Sequence, residues 1–159
     1  MDKIRIFVTL GSQQFQFNRL LKLVDGIDVN KYDVFAQIGY SDYKPRNFQY
    51  VDFLDRDSFA ENINKADLII THAGTGAIIT ALKNKKKVIA VARLKKYGEH
   101  VDNHQVELID VFVKKNYITG LIEVDNLNII LEDVIKKEFN LFESNTDFFI
   151  ENLIKLIEL

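Results

Sequence analysis

Asp67-Leu68-Ile69-Ile70-Thr71-His72-Ala73-Gly74-Thr75-Gly76-Ala77-Ile78-Ile79-Thr80-Ala81-Leu82 is the stretch on which the reading of this chain turns. Leu68-Ile69-Ile70 is an apolar run short enough for a buried strand. His72, two glycines and the hydroxyl of Thr75 follow at once. Ile78, Ile79 and Leu82 then fall on one face of a helix. The order is strand, tight glycine turn, helix start. The first amides of a helix have no internal partner, and the helix dipole favours negative charge there. Glycine lets a ligand approach the backbone closely. Gly74, Thr75 and Gly76 therefore form a candidate phosphate cradle with His72 at its lip. The same residues also fit an ordinary strand-to-helix turn, in which Gly and Thr serve only as turn and N-cap.

Upstream, Ile4-Arg5-Ile6-Phe7-Val8-Thr9-Leu10 is nearly continuous apolar sequence rich in β-formers, as expected of a strand covered on both faces. Gly11-Ser12-Gln13 ends it. Phe17, Leu20, Leu21 and Val24 recur at helical spacing, and Asp25-Gly26 is a predicted helix stop. Residues 33–38 predict a second strand ending at Gly39, residues 50–53 a short third, and residues 57–65 a helix with Phe59 and Ile63 inward. Downstream, 87–92 predicts a strand, 93–101 a loop, 102 or 103 to about 115 a helix, 120–124 a short strand and 126–136 a helix. This alternation predicts an α/β, Rossmann-like fold, a mostly parallel sheet with helices on both faces. Gly11, Gly39 and Gly74 each follow a predicted strand, and ligands in such sheets bind outside the strands' carboxyl ends. Residues 148–159 predict a last helix with apolar stripes Phe149, Leu153, Leu156 and Ile150, Ile154, Ile157, which either packs on the sheet or docks on a partner.

The 159 residues are expected to form one domain, 1–159, with 47% apolar and 28% charged residues as in a soluble globular protein. Cysteine is absent, which excludes disulfides and thiolate metal sites. A net charge of −2 argues against general nucleic-acid binding. Met1-Asp2-Lys3 leads straight into a strand-like run, so no signal peptide is expected, and no apolar run approaches the roughly 20 residues of a membrane span. A cytoplasmic location is expected, unless a partner holds the chain at a membrane.

Several chemistries fit poorly. Gly74-x-Gly76-x-x-Ile79 lacks the third small residue of a dinucleotide fingerprint and does not follow the first strand. No Gly-Lys-Ser/Thr P-loop occurs. His100-x-x-x-His104 has helical spacing for a metal pair, but its acidic neighbours are not placed as in His-Glu-x-x-His. Ser12 and Ser41 lack the Gly-x-Ser-x-Gly elbow of an acyl transferase. Arg93, Lys95 and Lys96, with Lys85, Lys86 and Lys87, either steer an anionic substrate or are simply solvated.

Four pieces occur together: Phe7-Val8-Thr9-x-Gly11-Ser12, Phe17-x-Arg19-Leu20, Thr71-His72-Ala73-Gly74-Thr75-Gly76, and Lys96-Tyr97-Gly98-Glu99-His100-Val101 leading into His104-Gln105-Val106-Glu107. In this order and spacing the chain resembles the C-terminal, donor-binding domain of glycosyltransferase family 28, one half of a GT-B glycosyltransferase. It is most similar to small single-domain members that act as half of a two-subunit enzyme. These include the cytosolic subunit that adds the second GlcNAc to dolichol diphosphate, and bacterial capsule and exopolysaccharide transferases with a separate membrane-associated chain.

The resemblance implies a UDP-sugar donor, an inverting transfer to a lipid-linked glycan acceptor, and a membrane-associated acceptor-binding partner subunit that holds the chain at the inner face of the membrane. Gly11 and Ser12 would face the diphosphate. His72, Gly74, Thr75 and Gly76 would meet diphosphate and ribose, and His104 and Gln105 the sugar hydroxyls. His72 and Glu99 would be the catalytic pair, with the general base either Glu99 or a residue of the partner. No metal cofactor is expected, because aspartate-rich metal clusters are not evident. The chain departs from many relatives at Thr80, where a ribose-binding Glu stands eight residues after the His, and at Ala92, where a Pro precedes the loop. The alternative expectation is a non-catalytic nucleotide-binding module that regulates or stabilises a partner enzyme.

Overall fold

A computed structural model describes residues 2–143 of the chain, so the predicted helix at 148–159 lies outside the described residues. The strands are β1 (Ile4–Thr9), β2 (Tyr32–Gln37), β3 (Gln49–Val51), β4 (Leu68–His72), β5 (Lys87–Val91) and β6 (Thr119–Leu121). The helices are α1 (Asn18–Asp25), α2 (Arg56–Lys65), α3 (Thr75–Lys83), α4 (His104–Lys114) and α5 (Asn128–Lys136), with a 3-10 turn at Lys95–Tyr97. The strand order is β3-β2-β1-β4-β5-β6, and every described pairing is parallel. The expected mostly parallel, Rossmann-like sheet is therefore observed.

The unbroken apolar strands are explained by two cores. Side chains of a strand alternate between the faces of the sheet. Ile6, Val8, Leu68, Ile70, Ile89 and Val91 pack against Leu20, Leu21 and Val24 of α1 and Leu131 and Val134 of α5. Their immediate neighbours Phe7, Ile69, Val88 and Ala90 pack on the other face, against Ile63 of α2, Ile78, Ala81 and Leu82 of α3, and Leu108, Ile109 and Phe112 of α4. Burial on both faces removes the polar half of each strand, as parallel sheets require. Phe7 lies edge-on to Phe59, 5.6 Å between ring centroids, which turns α2 onto the sheet.

Local signals set several boundaries. α2 starts one residue earlier than its apolar pattern suggests, because the Asp55 carboxylate accepts the Ser58 amide at 2.7 Å. α1 stops at Gly26, but in a tight turn (φ −86°) in which the Gly26 amide donates to Leu23 O, rather than in a left-handed cap. The last strand pairing is brief: β6 runs over Thr119–Leu121, earlier than the expected 120–124, because only these residues meet β5 in register.

The strand order creates the site. From β1 the chain passes through α1 to β2 on one side, and from β4 through α3 to β5 on the other. The carboxyl ends of β1 and β4 are thus adjacent while their following helices diverge, which opens a crevice at that point. Gly11 follows one strand and His72 ends the other.

Candidate functional site

An open cleft of about 670 Å³ occupies that crevice. It is lined by Gly11 and Ser12 after β1, by His72, Gly74, Thr75 and Gly76 between β4 and α3, and by His104 and Gln105 at the start of α4. Eight of the nine residues singled out by sequence are thereby brought together from three separate loops. Glu99, the ninth, is not at this cleft.

His72 is the last residue of β4 and is 5% exposed. Its ring fills the space that two side chains would otherwise take. A Cβ on Gly11 would stand 2.5 Å from His72 Nε2, and one on Gly74 would stand 2.6 Å from the same atom. Gly11 also has φ +72°, a conformation that glycine adopts without strain. Burial pushes the His72 imidazole down to about 3, with help from the positive charge of Arg93 and then that of His100. The ring is neutral at physiological pH.

The start of α3 faces the same space. Its N-cap is Gly74 in an extended conformation, and no side chain caps the first turn. The early amides of α3 are therefore open to a ligand. A Cβ on Gly76 would meet nothing within 4 Å. The exposed Ser12 lies across from this turn on the β1 loop.

Beneath the cleft, polar side chains tie the loops together. Gln105 is 3% exposed and bonded at both ends of its amide. Its Oε1 accepts the Ala73 amide at 3.1 Å and the Arg93 amide at 3.0 Å, and its Nε2 lies 3.2 Å from His72 Nδ1. The geometry thus sets Gln105 under His72, with both ends of its amide in use. On the other flank, Gln37 Oε1 accepts the Leu54 amide at 2.8 Å and Gln37 Nε2 donates to Thr9 at 3.3 Å, joining the β3–α2 loop to β1.

Two expectations about charge are corrected. Arg93 is no steering cation. It is 1% exposed, and its Nη1 donates to the carbonyls of Phe15, Gln16 and Glu99 while Nη2 donates to Leu10 O at 2.6 Å. Its guanidinium also lies 5.0 Å from the Phe17 ring centroid, a cation–π contact. Burial lowers Arg93 to about 10, which leaves it charged. The run Lys85-Lys86-Lys87 leads into the start of β5, at the opposite end of the strand from the cleft. Lys87 Nζ donates to Val134 O and Ile135 O, and Lys86 Nζ to Asn64 O, so these cations complement helix C-termini.

Glu99 is 1% exposed and clamped. Arg19 reaches it with Nε at 3.0 Å and Nη2 at 2.9 Å, and the Leu94 amide donates to Oε1 at 2.9 Å. It borders a separate cavity of about 610 Å³ with Gln16, Arg19 and Tyr97. Of the two cavities, the first has the uncapped helix start and the imidazole, so the chemistry points there. His100 stands before α4, not on it, so the His100/His104 spacing is not that of a helical metal pair. His100 instead holds Asp102 at 3.0 Å and lies 5.9 Å from the Phe15 ring, while His104 pairs with Glu107 at 3.3 Å. Among the described residues no group of three or more His, Asp or Glu is placed to hold a metal, and no helix is long and apolar enough to cross a membrane.

Sequence reasoning missed Arg19, Gln37 and Arg93 as organisers of the site. A signal was available for Arg93: it directly extends the apolar run 88–92, and a charge continuing a buried strand must find partners inside.

The family described as "Glycosyltransferase family 28 C-terminal domain" matches residues 5–158. The "UDP-N-acetylglucosamine transferase subunit ALG13" of Candida albicans is 45% identical over 64 residues, covering 38% of this chain and 20% of that protein. The protein of the same name from Mus musculus is 29% identical over 126 residues, covering 72% of this chain and 10% of that protein. The chain therefore spans a fifth or less of the length of these two relatives. The solution structure of ALG13 superposes with a TM-score of 0.65 over 99% of this chain and 98% of that one, at 18% identity, a likeness of fold.

Proposed function

The chain belongs to the glycosyltransferase family 28 C-terminal domain family, and from that premise we propose that it is the donor-binding, catalytic subunit of an inverting UDP-sugar-dependent glycosyltransferase. The acceptor is a lipid-linked glycan in polysaccharide biosynthesis, and a membrane-associated partner subunit supplies the acceptor site. The observation that carries this reading is the cleft at the β1–β4 switch point, where an uncapped helix start, a buried neutral imidazole and an exposed serine hydroxyl converge.

Transfer from a UDP-sugar breaks the bond between the anomeric carbon and the diphosphate. Negative charge grows on the departing oxygen. The first-turn amides of α3, the Ser12 hydroxyl and the His72 N–H are fixed donors around that charge, and each preorganised donor contributes about 2.7–4 kcal/mol to the transition state. Gly74 and Gly76 let the diphosphate reach the helix backbone. The acceptor hydroxyl attacks from the face opposite UDP, which inverts the anomeric carbon. Its proton goes to a base on the partner subunit, because both Glu99 oxygens are already committed to Arg19 and Leu94. The word "subunit" in the relatives' name supports the need for a second chain.

Calorimetric titration of the purified chain with UDP, ADP and inorganic diphosphate, with EDTA present, tests this. UDP should bind selectively without metal, and Ser12→Ala should weaken it. Failure of UDP to bind at millimolar concentration, both to the chain and to the complex co-purified with its partner, overturns the reading.

A further inference from the structure

Resting on the reading of the cleft as an anion-binding donor site, we propose that Gln105 is a positioning residue that fixes His72 as the neutral tautomer with its hydrogen on Nε2, so that the ring presents one N–H donor to an anionic oxygen between Gly11 and Gly74.

The inference follows from hydrogen-bond accounting. An amide side chain can be flipped, and only its partners decide which end is oxygen. At one end of the Gln105 amide stand two backbone N–H groups, those of Ala73 at 3.1 Å and Arg93 at 3.0 Å. Both can only donate, so that end is oxygen. The other end is therefore NH₂, which can only donate. It lies 3.2 Å from His72 Nδ1. His72 Nδ1 must then be the acceptor, and a neutral imidazole that accepts at Nδ1 carries its hydrogen on Nε2.

The same contact opposes the charged ring. An imidazolium would set an Nδ1–H against the Gln105 N–H with no acceptor between them. Burial and the nearby Arg93 charge act in the same direction. His72 thus takes no proton from an acceptor hydroxyl and serves as a donor only.

The direction of that donor is fixed as well. Nε2 lies 2.5 Å from where a Cβ of Gly11 would be and 2.6 Å from where one of Gly74 would be. The two absent side chains leave the hydrogen facing the gap between the β1 loop and the start of α3. Gln105 holds this arrangement rigidly, because its own oxygen is bonded to the strand ends of both β4 and β5. The role differs from contact with sugar hydroxyls: the amide oxygen already accepts two backbone N–H groups, and the residue is 3% exposed.

Glutamate at 105 reverses the logic. It keeps the shape and still accepts from Ala73 and Arg93, but its second oxygen needs a hydrogen on His72 Nδ1. The test is long-range ¹H–¹⁵N spectroscopy of the histidine side chains in the full chain at neutral pH. Wild type should show His72 with a bare Nδ1 and a protonated Nε2, unchanged when the sample is acidified to about pH 5. Gln105→Glu should move the hydrogen from Nε2 to Nδ1 and leave Nε2 bare. It should also weaken UDP binding by about 10- to 100-fold, the loss of one hydrogen bond to a charged group. A protonated Nδ1 in wild type, or rapid exchange of the two tautomers, overturns the proposal even if Gln105→Glu does not fold. UDP added to wild type separates this proposal from the donor-site reading. Binding without any shift of the His72 Nε2 hydrogen overturns the anion-facing role alone. Absence of UDP binding, with the tautomer as expected, overturns the donor-site reading and leaves the tautomer assignment standing.

Discussion

Gln105 Nε2 and His72 Nδ1 meet at 3.2 Å although 33 residues separate them in the chain. The contact couples the start of α4 to the end of β4 and makes the cleft's imidazole part of a buried network. Its effects on stability and on ligand binding can be read separately.

His72 gives the chain an acid sensitivity. Its folded-state value of about 3 lies below the ordinary 6.5, so below 6.5 the unfolded chain binds a proton that the folded chain refuses. Stability is intact above that range and falls as pH drops from 6.5 toward 3. At about pH 5 this one group should cost about 2 kcal/mol. Urea denaturation at neutral pH and at pH 5, for wild type and His72→Gln, should show that part of the loss only in the wild type.

The glycines of the turn should separate into two kinds. Gly74→Ala drives a Cβ to 2.3 Å from His72 Cε1, and Gly11→Ala drives one to 2.5 Å from Nε2 in a backbone with φ +72°. Each should lose about 1–3 kcal/mol by overpacking and displace the ring from Gln105. Gly76→Ala meets nothing within 4 Å and sits in the first turn of α3, so it should be neutral or gain up to about 1 kcal/mol. Thermal denaturation ranks the three. A fall in UDP affinity in Gly76→Ala at unchanged stability would place the ligand against that residue.

Arg93→Lys should fail to substitute. Four carbonyls from the β1 loop and the 93–99 loop converge on one planar guanidinium. A single ammonium cannot reach them all. A loss of about 3 kcal/mol or more is expected in urea denaturation. A smaller loss would mean that the two loops hold without their common donor.

Glu99→Gln distinguishes a clamp from a base. Glutamine still accepts from the Leu94 amide but loses the two-pronged charged pairing with Arg19. Stability should fall by about 1–3 kcal/mol while UDP binding to the chain changes little. Unchanged stability together with lost transfer in the complex would return Glu99 to the role of base.

Much of the fold was legible because burial leaves periodic marks. Ile4 to Leu10 and Leu68 to Ile70 read as strands since both faces are covered, and Leu20, Leu21 and Val24 read as a helix face because they line one core. The glycine turn at Gly74 was legible for the same local reason. Gln105 under His72 and Arg19 across 80 residues to Glu99 left no such mark. A polar side chain that finds its partner on another element has the same sequence appearance as one in solvent.

The sequence by itself determined a parallel, two-faced sheet with a glycine-rich helix start after its fourth strand, because hydrophobic periodicity and turn chemistry are local properties. Only the tertiary structure decided which polar residues share the cleft. The order β3-β2-β1-β4-β5-β6 sets Gly11 beside His72 and leaves Glu99 apart. That division arises because strand order is chosen by packing of the whole chain, and the partners of buried polar groups follow from it.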